Sequence, residues 1–231
     1  MTILALEFSS PQRSVAVARA GRVLGEVIET GAGLRSDQKA GTSARQAGAT
    51  EAFSMIETAL REAKLEREQI EVLAVGLGPG SYTGVRAALS MAQGWQLARG
   101  AKLLGVNSVD CLAAQAQAER IFGRVNVMVD AQRNEFYLAT YEISAGGWNA
   151  SGPLRIVTAG EIQSRVEARE ILIGPEVTRW FPGGRIIFPR AATLAQLAVE
   201  RDDFVAGEKL EPIYLREANF VKATVRKSAA L

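Results

Sequence analysis

The chain has 231 residues, of which 48% are apolar and 23% charged, and a formal charge of +2. That is the profile of a globular chain with material for one compact body or two small lobes, and nothing in it demands a nucleic acid. Histidine is absent and Cys111 is the single cysteine, which excludes Ser-His-Asp triads, Cys-His dyads, His-based zinc sites and an intramolecular disulfide.

In chain order, apolar runs at 2–8, 14–18 and 23–28 predict three strands, the last two a hairpin turning at Gly21-Arg22. A polar, glycine-dotted stretch fills 31–48. Ala52, Met55, Ile56, Ala59, Leu60 and Ala63 then fall on one face of an amphipathic helix over about 50–64. A strand is expected at 70–75. The next helix, about 84–99, carries Val85, Ala88, Leu89, Ala92 and Trp95 at helical spacing and ends on Gly100, a C-terminal cap. With a strand at 102–106 the order is βββαβαβ, which implies a mixed sheet with helices packed on it.

From Ser108 a second α/β unit is expected. It has a helix to about 121, strands at 125–129 and 135–143 around a turn at 132–134, a loop at 146–152 and a strand at 154–157. A helix from Ala159, a strand at 171–173, a small helix near Trp180, a strand at 185–188 and a helix over 193–206 complete it. The final EPIYLREANFVK is expected to return to the first lobe. Two units of similar character suggest a duplicated architecture. The N-terminus MTILALEFSS has neither a basic region nor a long apolar core, and no run approaches the roughly 18 apolar residues of a membrane span, so a cytoplasmic protein is expected. The basic residues Arg216, Lys222, Arg226 and Lys227 face only Glu217; such a tail is usually solvated, and a direct RNA contact is the minority alternative.

The stretch GLGPGSYTGVR, residues 76–86, resembles a phosphate-gripping loop but fits neither nucleotide motif. A Walker A loop needs Lys-Ser/Thr where Val85-Arg86 stand, and the G-x-G-x-x-G fingerprint needs glycine where Thr83 stands. A sharp strand-to-helix turn explains most of it: Gly78, Pro79, Gly80 and Gly84 reverse the backbone, and Ser81 or Thr83 caps the helix. Arg86 is left over, because a cation in a helix's first turn opposes the macrodipole and calls for an anionic partner. Glu7, at the end of the first strand and followed by Ser9-Ser10, resembles the first phosphate-binding hairpin of actin-like and sugar-kinase proteins; an exposed hairpin edge is the equal alternative. Asp130 and Glu135 bracket a hairpin turn, and a turn-forming role is favoured for them.

Five stretches, LALEFSS, GLGPGSYTGVR before AALSMAQG, GVNSVDCLA, VDAQRNEFYLATY and EPIYLR, resemble in this order the TsaB (YeaZ) family of bacterial tRNA threonylcarbamoyladenosine biosynthesis. The resemblance implies an ASKHA fold, actin-like and ribonuclease-H-like, of two α/β lobes, each a mixed sheet with packed helices. The lobes would be 1–107 plus about 212–231, and 108–211. It implies an accessory subunit without catalysis, cofactor or metal of its own, required for threonylcarbamoyl transfer to adenosine of tRNAs reading ANN codons. Its partners would be the catalytic paralogue TsaD and the ATPase TsaE, with a homodimer when alone and tRNA met at most indirectly. The family's two long helices pack on TsaD, so part of Phe53, Met55, Ile56, Leu60, Leu89 and Trp95 is expected to stay exposed; the alternative is that all six are core, as apolar positions at helical spacing usually are. Glu7, Ser9 and Asp130 would be a vestigial cleft. Glu7 stands where the family usually has Asp, Gln132 replaces a common Arg, and the histidine usual before the first long helix is missing. The rival readings are an ASKHA small-molecule kinase or ATPase with Glu7 or Asp130 as base, and a self-associating scaffold; a peptidase ranks last for want of a nucleophile-base pair.

Overall fold

The computed structural model describes residues 1–30 and 42–215. The first lobe contains β1 (Thr2–Glu7), β2 (Gln12–Arg19), β3 (Arg22–Thr30), α1 (Thr42–Ala63), β4 (Val72–Gly76), α2 (Tyr82–Arg99) and β5 (Lys102–Val106). The strands lie in the order β3-β2-β1-β4-β5, with β2 and β3 antiparallel and β1, β4 and β5 parallel. Helix α1 extends upstream of the predicted 50–64 to Thr42, since Ala44, Arg45, Gln46 and Ala47 form helix well without carrying an apolar stripe. The rest of the glycine-dotted stretch, 31–41, lies outside the described residues.

All six residues of β1 are buried, because helices cover both faces of this central strand and its alternate side chains feed two cores. Leu4 and Leu6 join Met55, Ile56, Ala59 and Leu60 of α1 and Val85, Ala88, Leu89 and Ala92 of α2. Ile3 and Ala5 face the other way, onto a small-residue floor with Ala16, Ala18 and Ala74.

The second lobe contains α3 (Ser108–Ala118), β6 (Gly123–Asp130), β7 (Glu135–Ser144), β8 (Gly147–Ala150), β9 (Arg155–Thr158), α4 (Ala159–Glu167), β10 (Ile171–Gly174) and β11 (Arg185–Ile186). Its sheet runs β8-β7-β6-β10-β11, with β9 also on β7. β6 is antiparallel to β7 and parallel to β10, which is parallel to β11, so the second sheet repeats the order and polarity of the first. The predicted loop 146–152 contains β8, where Trp148 pairs with Ile143 and sets its ring edge-on to Tyr141. The predicted small helix is a single 3-10 turn, Val177–Arg179.

The last helix, α5 (Ala191–Ala198), is shorter than the predicted 193–206. It also belongs elsewhere than expected: Ala191, Leu194, Ala195 and Ala198 pack on the small-residue floor of the first sheet. Ser14 Oγ accepts the Ala191 N–H at 2.8 Å and Glu26 accepts the Ala192 N–H at 3.2 Å, so β2 and β3 satisfy the helix's free amide groups. The chain therefore rejoins the first lobe near residue 190, not 212. The segment 205–213 follows along the same lobe: Val205 bridges Leu103, Leu210 enters the core, and Ile213 N–H donates to Leu77 O at 2.9 Å. Of EPIYLREANFVK, residues 211–215 are described and Ile213 bonds to the first lobe; residues from 216 lie outside the described residues.

Candidate functional site

The loop at 78–84 is a packed turn. Gly78 and Gly80 take positive φ, +85° and +148°, and Ser81 caps α2 by accepting the Gly84 N–H on its hydroxyl at 3.2 Å. A Cβ on Gly80 would sit 2.0 Å from Ser9 O, and one on Gly84 2.0 Å from Phe8 O, so glycine is required where the loop crosses the backbone leaving β1. Ser81 N–H donates to Ser9 O at 2.7 Å and Val85 N–H to Ser81 O at 2.9 Å. The Gly78, Ser81, Gly84 and Val85 amide groups, four of those that could face a phosphate, are engaged within the protein.

Glu7 lies behind this loop, fully buried. Its carboxylate accepts the Ser9 N–H and the Ser108 hydroxyl, each at 2.8 Å. Ser108 Oγ accepts the Gly78 N–H at 3.2 Å, and Ser108 N–H donates to Gly78 O at 2.8 Å. One acid thus ties together the ends of β1, the glycine loop and α3. A Cβ on residue 76 would lie 2.1 Å from Glu7 Oε2; the missing side chain of Gly76 makes room for the carboxylate. Neither sequence reading of Glu7 holds, because the last residue of a central strand is covered on all sides.

Burial lifts the Glu7 carboxyl above its ordinary 4.5, against the lowering effect of the Ser9 and Ser108 hydrogen bonds. A carboxyl raised in the folded state binds its proton more tightly folded than unfolded. Its contribution is present below 4.5 and lost as pH rises through the folded value. Urea denaturation of Glu7→Gln across this window should therefore lack a fall in stability that the parent chain shows; parallel curves would contradict this assignment.

Between the lobes is a cleft of about 400 Å³. Ser9, Ser10 and residues 80–83 line it from the first lobe, and Asp130, Gln132, Glu176 and Trp180 from the second. Of the three expected cleft residues, Ser9 and Asp130 meet here and Glu7 does not. Asp130 Oδ1 accepts the Gln132 N–H at 2.7 Å, ahead of three left-handed residues, Gln132, Arg133 and Asn134, which is the expected turn-forming role. Among the described residues the lining offers a polyphosphate two carboxylates and no Lys or Arg. Among the described residues no cluster of three His, Cys, Asp or Glu side chains could hold a metal ion.

The second feature is an apolar groove of about 510 Å³ between α1 and α2, lined by Phe53, Ile56, Ala87, Ser90, Met91, Gly94, Trp95 and Ala98, with Arg67 and Arg99. Both arginines are paired, with Glu57 and Glu68. Of the six predicted interface residues, Met55, Ile56, Leu60 and Leu89 are core, each at most 6% exposed, because their stripe faces the sheet; Ile56 also reaches the groove floor. Phe53 is 52% exposed and Trp95 half-buried, its indole N–H sealed from solvent without a partner. Sequence reasoning missed the small residues Ala87, Ser90, Gly94 and Ala98, and Leu97, which is 88% exposed. Their signal was a glycine in mid-helix among small residues three and four apart, off the apolar stripe.

The model of the family described as TsaD, tRNA N6-adenosine threonylcarbamoyltransferase, matches residues 42–225. The tRNA threonylcarbamoyladenosine biosynthesis protein TsaB of Haemophilus influenzae is 31% identical over 184 residues, 70% of this chain and 77% of that protein. The chain belongs to the TsaD family, in its TsaB/YeaZ branch. Escherichia coli TsaB is 26% identical over 179 residues, covering 70% of this chain and 78% of that one. YeaZ from Pseudomonas aeruginosa superposes with a TM-score of 0.72 at 26% identity, over 93% of this chain and 99% of that one. The TsaB/YeaZ assignment agrees with the two mixed sheets described above.

Proposed function

We propose that the chain is an accessory, non-catalytic subunit of threonylcarbamoyladenosine biosynthesis that acts by burying the α1/α2 face against its catalytic paralogue TsaD, in an assembly that also contains the ATPase TsaE. The observation that carries this reading is the apolar groove between the two long helices, flanked by Phe53 and floored by small residues. Large exposed apolar surface of this kind marks association sites, and small residues let a facing helix come closer than the usual 8–10 Å. The same face would serve a homodimer when TsaD is absent. The work is cytoplasmic, and among the described residues no helix is long and apolar enough to cross a membrane.

Size-exclusion chromatography of this chain mixed with TsaD should yield a stable complex that displaces any homodimer, and depletion of the chain should lower threonylcarbamoyladenosine in digested tRNA. A homodimer indifferent to TsaD, together with unchanged modification, would replace this reading with a self-associating scaffold. The kinase or ATPase reading is weakened by a cleft that, among the described residues, has carboxylates and no cation, and by a Glu7 walled off from it.

A further inference from the structure

Two of the chain's four tyrosines meet at the edge of the cleft between the lobes. Tyr82 opens α2, and Tyr214 sits on the segment returning to the first lobe. Their rings are 5.3 Å apart at 30°, and they are 56% and 43% exposed. Arg86, one turn along α2 from Tyr82, places its guanidinium 4.9 Å from the Tyr82 ring centre and donates to the Tyr82 hydroxyl. Among the described residues no carboxylate pairs with Arg86. The described residues thus supply no anionic partner of the kind that a cation in the first turn calls for, and the Tyr82 ring holds the side chain instead.

The fold does not need these rings to hold the returning segment. Leu210 in the core, the Ile213 N–H bond to Leu77 O, and Gln93 and Gln96, which bond the Gly207 carbonyl and N–H at 2.8 Å each, already do so. Half-exposed aromatic rings beside an arginine that no described carboxylate neutralises match what unpaired nucleotides require: a flat surface for a base and a cation for its phosphate. Immediately after Leu215 the sequence carries Arg216, Lys222, Arg226 and Lys227 against Glu217. Asp130 and Glu176 line the cleft that Tyr82 borders and would turn a phosphate away from the interior, toward Arg86.

We propose that Tyr82, Tyr214 and Arg86 form a docking surface for single-stranded RNA, with one unpaired base stacked on the tyrosines and a neighbouring phosphate taken by Arg86. This departs from the expectation that tRNA is met at most indirectly. Only the choice of tRNA as probe rests on the family, whose named relatives belong to tRNA modification.

The test is fluorescence anisotropy of the full chain with a fluorescein-labelled anticodon stem-loop, alongside a blunt duplex of the same stem. The loop RNA should bind more tightly than the duplex. Tyr82→Ala combined with Tyr214→Ala should weaken it about tenfold, with far-UV circular dichroism unchanged and with Tyr82→Phe close to the parent. Arg86→Ala should weaken binding and reduce the slope of log affinity against log salt by about 0.7. Phe53→Asp, in the α1/α2 groove, should leave RNA affinity intact, which keeps this test separate from that of the TsaD interface. Unchanged affinity in the folded tyrosine double variant, equal affinity for the duplex, or no binding at low salt would overturn the proposal. So would tyrosine variants that lose co-elution with TsaD while keeping RNA affinity, since the surface would then be a protein contact.

Discussion

Replacing Gly94 should make the isolated chain more stable and the TsaD complex weaker. Glycine inside an 18-residue helix costs about 1 kcal/mol relative to alanine, and at Gly94 nothing in the fold accounts for that cost. Its φ is not in the left-handed region, and a Cβ there would meet nothing within 4 Å. Gly94→Ala should therefore raise stability by about 1 kcal/mol in urea denaturation. Gly94→Leu should also fold, because its side chain enters an open groove. There it would occupy the space of a facing helix, and TsaD affinity should fall about 100-fold or more, about 3 kcal/mol. Gain of stability with loss of association is a combination that a purely structural glycine cannot produce. A Gly94→Leu chain that binds TsaD as the parent does would remove the groove from the interface.

The glycines of the 78–84 loop behave in the opposite sense. Gly80→Val and Gly84→Val would each drive a Cβ into a backbone carbonyl at 2.0 Å, and at Gly80 also into a φ of +148° that side chains rarely adopt. The obstructing atoms belong to the chain leaving a fully buried central strand, so they cannot swing aside. Each substitution should cost about 3–5 kcal/mol, near the upper end for single changes, and is expected to show as insolubility or a large fall in the urea midpoint. Gly100 offers the control. It too has positive φ, +70°, but a Cβ there would meet no atom within 4 Å, so Gly100→Ala should cost only about 1 kcal/mol. Equal, small effects at all three positions would mean that the loop does not pack against the first strand as described.

Much of the architecture was legible because it depends on near neighbours. Period-two and period-3.6 apolar patterns, the Ser81 and Gly100 caps and the Asp130 turn are settled within a few residues, and the strands and helices fall close to where those signals put them. The same local logic identified the glycine loop as a turn. It failed at Arg86, where the dipole argument called for an anion and the structure supplies the Tyr82 ring, because which side chain lies one turn away and how it points is a matter of packing.

What the sequence determined alone, then, was the order and type of the elements, the absence of imidazole chemistry and the family motifs. Which residues are covered was decided by contacts between distant parts of the chain. Ser14 and Ala191, 177 residues apart, join α5 to the first sheet, and Ser108 reaches Glu7 across 101 residues to bury an acid that looked like a cleft group. An apolar stripe on a helix shows that one face is covered. Only the packed structure shows that Met55, Leu60 and Leu89 of that stripe are spent wholly on the sheet, while Phe53 and Gly94 lie beside it in an open groove.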